Sequence, residues 1–284
     1  MRIEMRSISV QEITKNIKEM CIEANYVLSE DVKSAIYQNQ ETESNQIGKQ
    51  ILSQLKENMD IAKNESIPIC QDTGMAVIFM KIGQDVHFEG GNLEDAINEG
   101  IRQGYEEGYL RKSVVKDPVE RVNTKDNTPG VIHYEIVSGD QVEITVSPKG
   151  FGSENMSRVC MLKPADGIEG IKDAILETVK LAGPNACPPV VVGVGIGGTF
   201  EKCALLAKKA LTRELGSHNP IPYVRELEEE MLEKINNIGI GPAGLGGNTT
   251  ALGINIETYP THIAGLPVAI NMCCHVNRHK NRII

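Results

Sequence analysis

Apolar residues recur at helical spacing through the first 65 positions. Val10, Ile13, Ile17, Met20 and Ala24 share one face behind the capping-box pattern Ser9-Val10-Gln11-Glu12, which predicts a first helix. A second is predicted over about Ser29 to Asn39, and a third places Ile47, Ile51, Leu55, Met59 and Ala62 on one face. The period then changes. MAVIFMKI (75–82) is an unbroken apolar run of strand length. Asn92 caps a predicted helix bearing Leu93, Ala96, Ile97, Ile101 and Tyr105, ending near Arg111. VIHYEIV (131–137) and VEITVSP (142–148), joined by Ser138-Gly139-Asp140-Gln141, predict a hairpin.

Downstream, KGFGSEN (149–155) reads as a glycine-rich loop, followed by a helix over about 167–182, the segment GPNACPP and the apolar strand VVVGVGIGGT. Helices over about 200–216 and 223–238 precede a second glycine-rich loop, GIGPAGLGGNTT (239–250), and strands around 251–258 and 265–272. No regular βαβ alternation appears. The expected fold is mixed α/β (α+β), with a helical N-terminal region, then small sheets with a hairpin flanked by helices, and is not a regular Rossmann fold. It is expected to be a single domain, 1–284, with 1–65 as a mainly helical subregion.

Composition narrows the function. With 40% apolar and 24% charged residues the chain reads as an ordinary globular protein. A net charge of −9 without a basic block argues against a sequence-independent grip on nucleic acid or anionic lipid. No apolar run approaches the ~20 residues of a membrane span, and MRIEMRSISVQEITKN has no apolar leader. A cytoplasmic protein is expected, in which seven cysteines, an odd number, stay reduced.

Cys21 and Cys203 fall within helices and read as small buried hydrophobes, as does Cys160 in SRVCML. The others sit at element boundaries. Cys70 precedes Gln71-Asp72-Thr73-Gly74, Cys187 lies between Gly183-Pro184-Asn185-Ala186 and Pro188-Pro189, and Cys273-Cys274 ends a strand. Boundary thiolates can project into a cleft, so a cluster ligated from three loops is one reading and ordinary turn cysteines are the other. No Cys-x-x-Cys run signals a ferredoxin or a zinc ribbon. His275 and His279, four apart beside Cys273-Cys274, leave zinc as an alternative.

Gly193-Val194-Gly195-Ile196-Gly197-Gly198 matches a dinucleotide fingerprint between a strand and a helix. The acidic residue it needs about 20 positions on would be Glu214, in the tail of the following helix, where no second strand receives it. A nicotinamide-dependent oxidoreductase using Gly193–Gly198 stays as a rival, with close backbone packing as the plainer explanation.

CQDTG, KGFGSEN, ACPPVVVGVGIGGT, GLGGNTT and YPTHIAGLPVAINMCC together resemble the alpha subunit of two-subunit iron–sulfur fumarate hydratases and L-tartrate dehydratases, the class I fumarase family. The resemblance extends from about residue 10 over the chain. It implies a [4Fe–4S] cluster, with one iron lacking a protein ligand, held by Cys70, Cys187 and Cys274. Cys274 is preferred to Cys273 because the family places a histidine twelve residues before the ligand, and His262 fits. The implied reaction is reversible addition of water to a four-carbon dicarboxylate, most simply fumarate to L-malate, with L-tartrate dehydration as the alternative.

The resemblance makes Asp72 and His262 catalytic, as a hydrogen-bonded acid–base pair. It makes Gln71, Arg111 and Gly152 substrate-binding, with arginine suited to bidentate carboxylate recognition. Turn capping is the plainer role for Asp72, a backbone-bonded structural histidine for His262 and a solvated arginine for Arg111. Lys149 and Arg278 are further candidate charges. The resemblance implies a separate beta subunit that carries the proton-abstracting residue, and a chain that stops ten residues after Cys274 agrees with a site covered from elsewhere. A symmetric hetero-oligomer is expected. A non-catalytic subunit that holds iron–sulfur for a partner is the remaining class.

Overall fold

A computed structural model of the protein describes residues 5–284. In chain order the elements are β1 (Arg6–Ser9), α1 (Val10–Tyr26), α2 (Glu30–Thr42), α3 (Gln46–Glu65), β2 (Met75–Gly83), β3 (Val86–Glu89) and α4 (Leu93–Glu107). They continue with β4 (Val131–Val137), β5 (Val142–Lys149), α5 (Phe151–Glu154), β6 (Arg158–Leu162), α6 (Gly167–Ala182) and β7 (Val190–Gly197). Then come α7 (Phe200–Ala210), α8 (Pro222–Asn236), β8 (Ala251–Tyr259), β9 (Leu266–Cys273) and β10 (Lys280–Ile283). The expected mixed α/β class is what this order shows.

The chain divides into two compact units. The first comprises residues up to Ser29, Met59–Gly150 and Arg278–Ile284. Its sheet has the order β10-β5-β2-β4, and β1 pairs with β3 alongside. The apolar stripe of α1 does what its spacing predicts: Ile13, Ile17 and Met20 are fully buried and join Ile78, Ile97, Ile101, Tyr105 and Ile144 in one core. Ser9 caps α1, its Oγ accepting from the Gln11 N–H at 3.2 Å. Asn92 caps α4, its Oδ1 accepting from Glu94 at 2.9 Å and Asp95 at 3.1 Å.

The predicted hairpin is a correction. β4 and β5 both form, but they do not pair with each other. β2 lies between them, parallel to β4 (Val77 opposite Val131) and antiparallel to β5 (Ile78 opposite Val146). The short link arches over the end of β2, where the Gly83 N–H donates to Gln141 O at 2.8 Å. A four-residue connection suggests adjacency, yet β2 offers both flanking strands a more deeply buried apolar ladder.

The second unit comprises Glu30–Asn58 and Phe151–Asn277. Its sheet has the order β6-β9-β7-β8, with β7 parallel to β8 and antiparallel to β9. Val192, Val194, Ile256, Val268 and Met272 meet Ile175, Val224, Met231 and Ile235 of α6 and α8 in its core. KGFGSEN is not a plain loop: residues 151–154 form the short helix α5. α7 ends at Ala210, earlier than the predicted 216.

Candidate functional site

The first unit carries the Cys70–Gly74 turn. Ile69 enters it with its N–H donating to Asn25 O at 3.0 Å, at the end of α1. Asp72 then folds the chain: its Oδ1 accepts from the Gly74 N–H at 3.1 Å, and its own N–H donates to the Cys70 Sγ at 3.4 Å. Asp72 thus performs the turn capping that its place before Thr-Gly suggests. The half-buried Cys70 sulfur also approaches Gln71 Oε1, at 3.6 Å.

Tyr105 and Asn127, which the sequence does not single out, hold this turn together with the candidate charge Arg278. The phenol of Tyr105, fully buried and pushed far up in pKa by that burial, donates to Thr73 O at 2.9 Å and Gly74 O at 3.1 Å. Buried Asn127 donates to Gly74 O at 3.2 Å and accepts from the Ser113 and Val114 N–H groups. Arg278, only 3% exposed, donates from Nη2 to Asp72 O and from Nε to Pro148 O at 3.2 Å, while its Nη1 has no hydrogen-bond partner among the described residues. Arg111 is drawn to the same place by Thr73, whose Oγ1 donates to Arg111 O at 3.1 Å. Buried Lys149 donates to Gly150 O at 3.0 Å. Tyr105 reads in the sequence only as helix core, and Asn127 as loop. Arg278 carries a signal, being four residues after Cys274.

The second unit carries Cys187 and Cys274. A short 3-10 turn (Gly183–Ala186) delivers Cys187 in a left-handed conformation, φ 54°, with its N–H donating to Pro184 O at 3.0 Å. β9 pairs with β7 so that Cys273 stands opposite Val191. Cys187 precedes β7 and Cys274 follows β9, and the antiparallel pairing puts both at one sheet end. His275 Nδ1 lies 3.2 Å from Cys187 O across that end. Cys273 is a buried strand residue, whereas Cys274 is half-buried beyond the last ladder pair. Gly152 is in the first turn of α5, where N–H groups lack helical acceptors, and its α-carbon side faces Asn185 O, 4.0 Å from an added Cβ. Cys21 and Cys203 are buried as predicted, Cys21 with its thiol pushed up to about 12 by burial.

His262 is not brought to that end. It sits exposed in the turn between β8 and β9, its Nδ1 accepting from the Ala264 N–H at 3.2 Å. The whole of β9 separates it from Cys274, roughly 23 Å of extended chain. Thr261 and Pro260 tie the turn to Gly198 instead, at the opposite end of β7.

The glycine fingerprint has a packing explanation. A Cβ on Gly193 would lie 2.2 Å from Ala207 O, and one on Gly195 2.1 Å from Cys203 O, so α7 rests directly on the strand backbone. His275 and His279 fall on no helix, so their spacing does not place them on one face. Among the described residues no group of three or more His, Cys, Asp or Glu side chains is arranged to hold a metal ion, and no helix is long and apolar enough to cross a membrane.

Residues 14–282 match the family described as Fumarate hydratase (Fumerase). A Methanocaldococcus jannaschii protein named "Putative L(+)-tartrate dehydratase subunit alpha" is 44% identical over 273 residues, 94% of this chain and 95% of that protein. The L(+)-tartrate dehydratase subunit alpha of Escherichia coli strain K12 is 32% identical over 280 residues, 97% of this chain and 92% of its own length. A match of this extent covers both units and both cysteine-bearing regions, and the chain belongs to the fumarate hydratase (Fumerase) family of hydro-lyases.

Proposed function

We propose that the chain is the [4Fe–4S]-dependent alpha subunit of a hydro-lyase that reversibly adds water to a four-carbon dicarboxylate, working with a separate beta subunit in a symmetric hetero-oligomer. The observation that carries this reading is the family match across residues 14–282. Fumarate and L-malate are the first substrate pair. L(+)-tartrate is the second reading, favoured by the names of the relatives. The "subunit alpha" in those names supports a beta partner. Seven cysteines outside any disulfide suit a reducing compartment, and we read the protein as cytoplasmic.

Cys70, Cys187 and Cys274 are the proposed ligands. The donor set suits the group: thiols outside any disulfide at turns, two of them at one sheet end, with Cys274 beyond the strand that buries Cys273. When bound, a cluster with one iron lacking a protein ligand supplies Lewis-acid polarisation of a substrate hydroxyl and carboxylate. This chain's residues do the rest. Asp72, fixed by its own turn and by Arg278 at its carbonyl, is the proposed proton-handling group. Arg111 grips a carboxylate with its planar fork, and Gln71 and the Gly152 N–H orient it. The buried Arg278 Nη1 is a further cation for an anion at the turn.

His262 requires a separate explanation. If it is catalytic, the span of β9 means it serves a cluster held by a second copy of the chain, not by Cys187 and Cys274 of its own. Exposed Phe200, Tyr259 and Ile263 around its turn suit coverage by another chain.

The test is anaerobic co-production with a beta subunit, followed by assay on fumarate, L-malate and L(+)-tartrate. Turnover of a dicarboxylate only when both subunits are present supports the reading. Tight NAD binding without iron would replace it with the oxidoreductase alternative.

A further inference from the structure

Glu43 lies far from any predicted site residue in sequence, at the end of α2. It is 1% exposed, and its carboxylate is a three-way acceptor: Oε1 takes the N–H groups of Asn45 at 2.9 Å and Asn248 at 3.0 Å, and Oε2 takes that of Thr249 at 2.8 Å. Asn248 returns the contact, its Oδ1 accepting from the Ser44 N–H at 2.8 Å. The carboxylate therefore clasps the C-terminal end of the second glycine-rich loop to the α2–α3 corner, within the second unit.

The middle of that loop bears on the Cys187 turn. The Ala243 N–H donates to Pro188 O at 2.8 Å, one residue after Cys187. Gly244, at φ 76°, lies so close to Pro184 that an added Cβ would stand 2.4 Å from the proline Cβ. Pro184 in turn supplies the carbonyl that accepts the Cys187 N–H. Between its two ends the loop is closed on itself, with Gly246 N–H donating to Ile240 O at 2.8 Å and Gly241 N–H to Thr250 Oγ1 at 3.2 Å. A buried charge is costly unless hydrogen bonds offset its desolvation, and here the three backbone N–H bonds to the Glu43 carboxylate all serve this corner.

We infer that Glu43 is a positioning residue for Cys187: through the 240–249 loop it sets the strained left-handed turn that presents this thiol. The consequence for cluster binding rests on the iron–sulfur reading above; the bracing itself does not. In Glu43→Gln, one carboxylate oxygen becomes an NH2 group facing N–H donors, so the clasp opens while size and packing are kept.

Two measurements on the full-length chain test this. The first is residue-resolved hydrogen exchange of Glu43→Gln against wild type. Amides of 240–249 and of Cys187 are expected to exchange about tenfold faster, the factor corresponding to one lost charged hydrogen bond, with Val192 and Val194 of β7 unchanged. Acceleration confined to 43–50 would make Glu43 a helix-corner cap only, and uniform acceleration would make it a general stabiliser; either overturns the inference.

The second measurement is iron and sulfide per chain after anaerobic reconstitution of Gly244→Ala and Gly239→Ala. Both glycines have positive φ, 76° and 79°, but an added Cβ at Gly239 meets nothing within 4 Å. Gly244→Ala is expected to lower iron and Gly239→Ala to leave it at the wild-type level; equal losses would contradict the bracing. Should wild type take up no iron, the cluster reading fails while hydrogen exchange still decides the role of Glu43.

Discussion

The two cysteine-bearing regions are built on opposite principles. The Cys70 turn is embedded in polar and charged groups: Asp72, Arg278, Lys149, the Tyr105 phenol and the Asn127 amide all lie on or against it. The Cys187–Cys274 end is shaped by backbone and ring contacts, from the β7–β9 ladder, the Pro184–Gly244 approach and the bond between Ala243 and Pro188. The charge that braces the Cys187 side, on Glu43, stands one loop away. The difference teaches a division of labour. On the function proposed above, the first region would handle protons and anions beside Cys70, and the second would fix where Cys187 and Cys274 stand.

Substitutions should therefore fail differently in the two places. The largest effect on turnover is expected from Asp72→Asn, about a hundred- to ten-thousandfold in kcat for loss of a general acid–base group, with iron content kept. Steady-state kinetics beside iron analysis checks this; loss of iron in step with kcat would erase the contrast between the regions. Next is a mixed-oligomer experiment. Cys274→Ser and His262→Asn chains are each expected to be inactive alone and to regain part of the activity when co-assembled, if His262 serves another copy's cluster. No recovery would return His262 to the structural role of bonding its own turn.

Arg278→Lys comes next. A lysine cannot reach Asp72 O and Pro148 O together from a planar fork, so kcat/KM is expected to fall about tenfold, one charged hydrogen bond's worth, again with iron kept. The smallest effect is on stability. Burial by itself would raise the Glu43 carboxyl, but hydrogen bonds from Asn45, Thr249 and Asn248 outweigh it and hold it below the usual carboxylate range. A depressed native pKa contributes stability that is present above the unfolded value, about 4.3, and lost as pH falls through the native one. Denaturant titrations should show wild type more stable than Glu43→Gln at pH 7, with the gap closing at strongly acid pH; a gap that is constant with pH would contradict the clasp.

Much of the fold was legible. The stripe Ile13, Ile17, Met20 and the cap Asn92 act locally, and local signals survive in one sequence. The order of strands did not, because β2 inserts between β4 and β5 through a ladder that no turn residue announces. The boundary positions of Cys70, Cys187 and Cys274 were readable from where periodic runs stop. Their bracing was not: Tyr105 looks like any core residue, and Glu43 like any exposed helix-end acid. His262 is the instructive case. Its spacing of twelve from Cys274 links the two in a motif, but a motif has no geometry until the intervening residues are known to be extended.

The central claim is that thiols from these two dissimilar regions serve one cluster. Anaerobic reconstitution of the chain, with iron and acid-labile sulfide quantified for wild type and for Cys70→Ser, Cys187→Ser, Cys274→Ser and Cys273→Ser, tests it most directly. The account expects about four of each per chain in wild type and in Cys273→Ser, and loss of the intact cluster in the other three. Retention of the full cluster in Cys70→Ser, or stoichiometric zinc in place of iron, would contradict it.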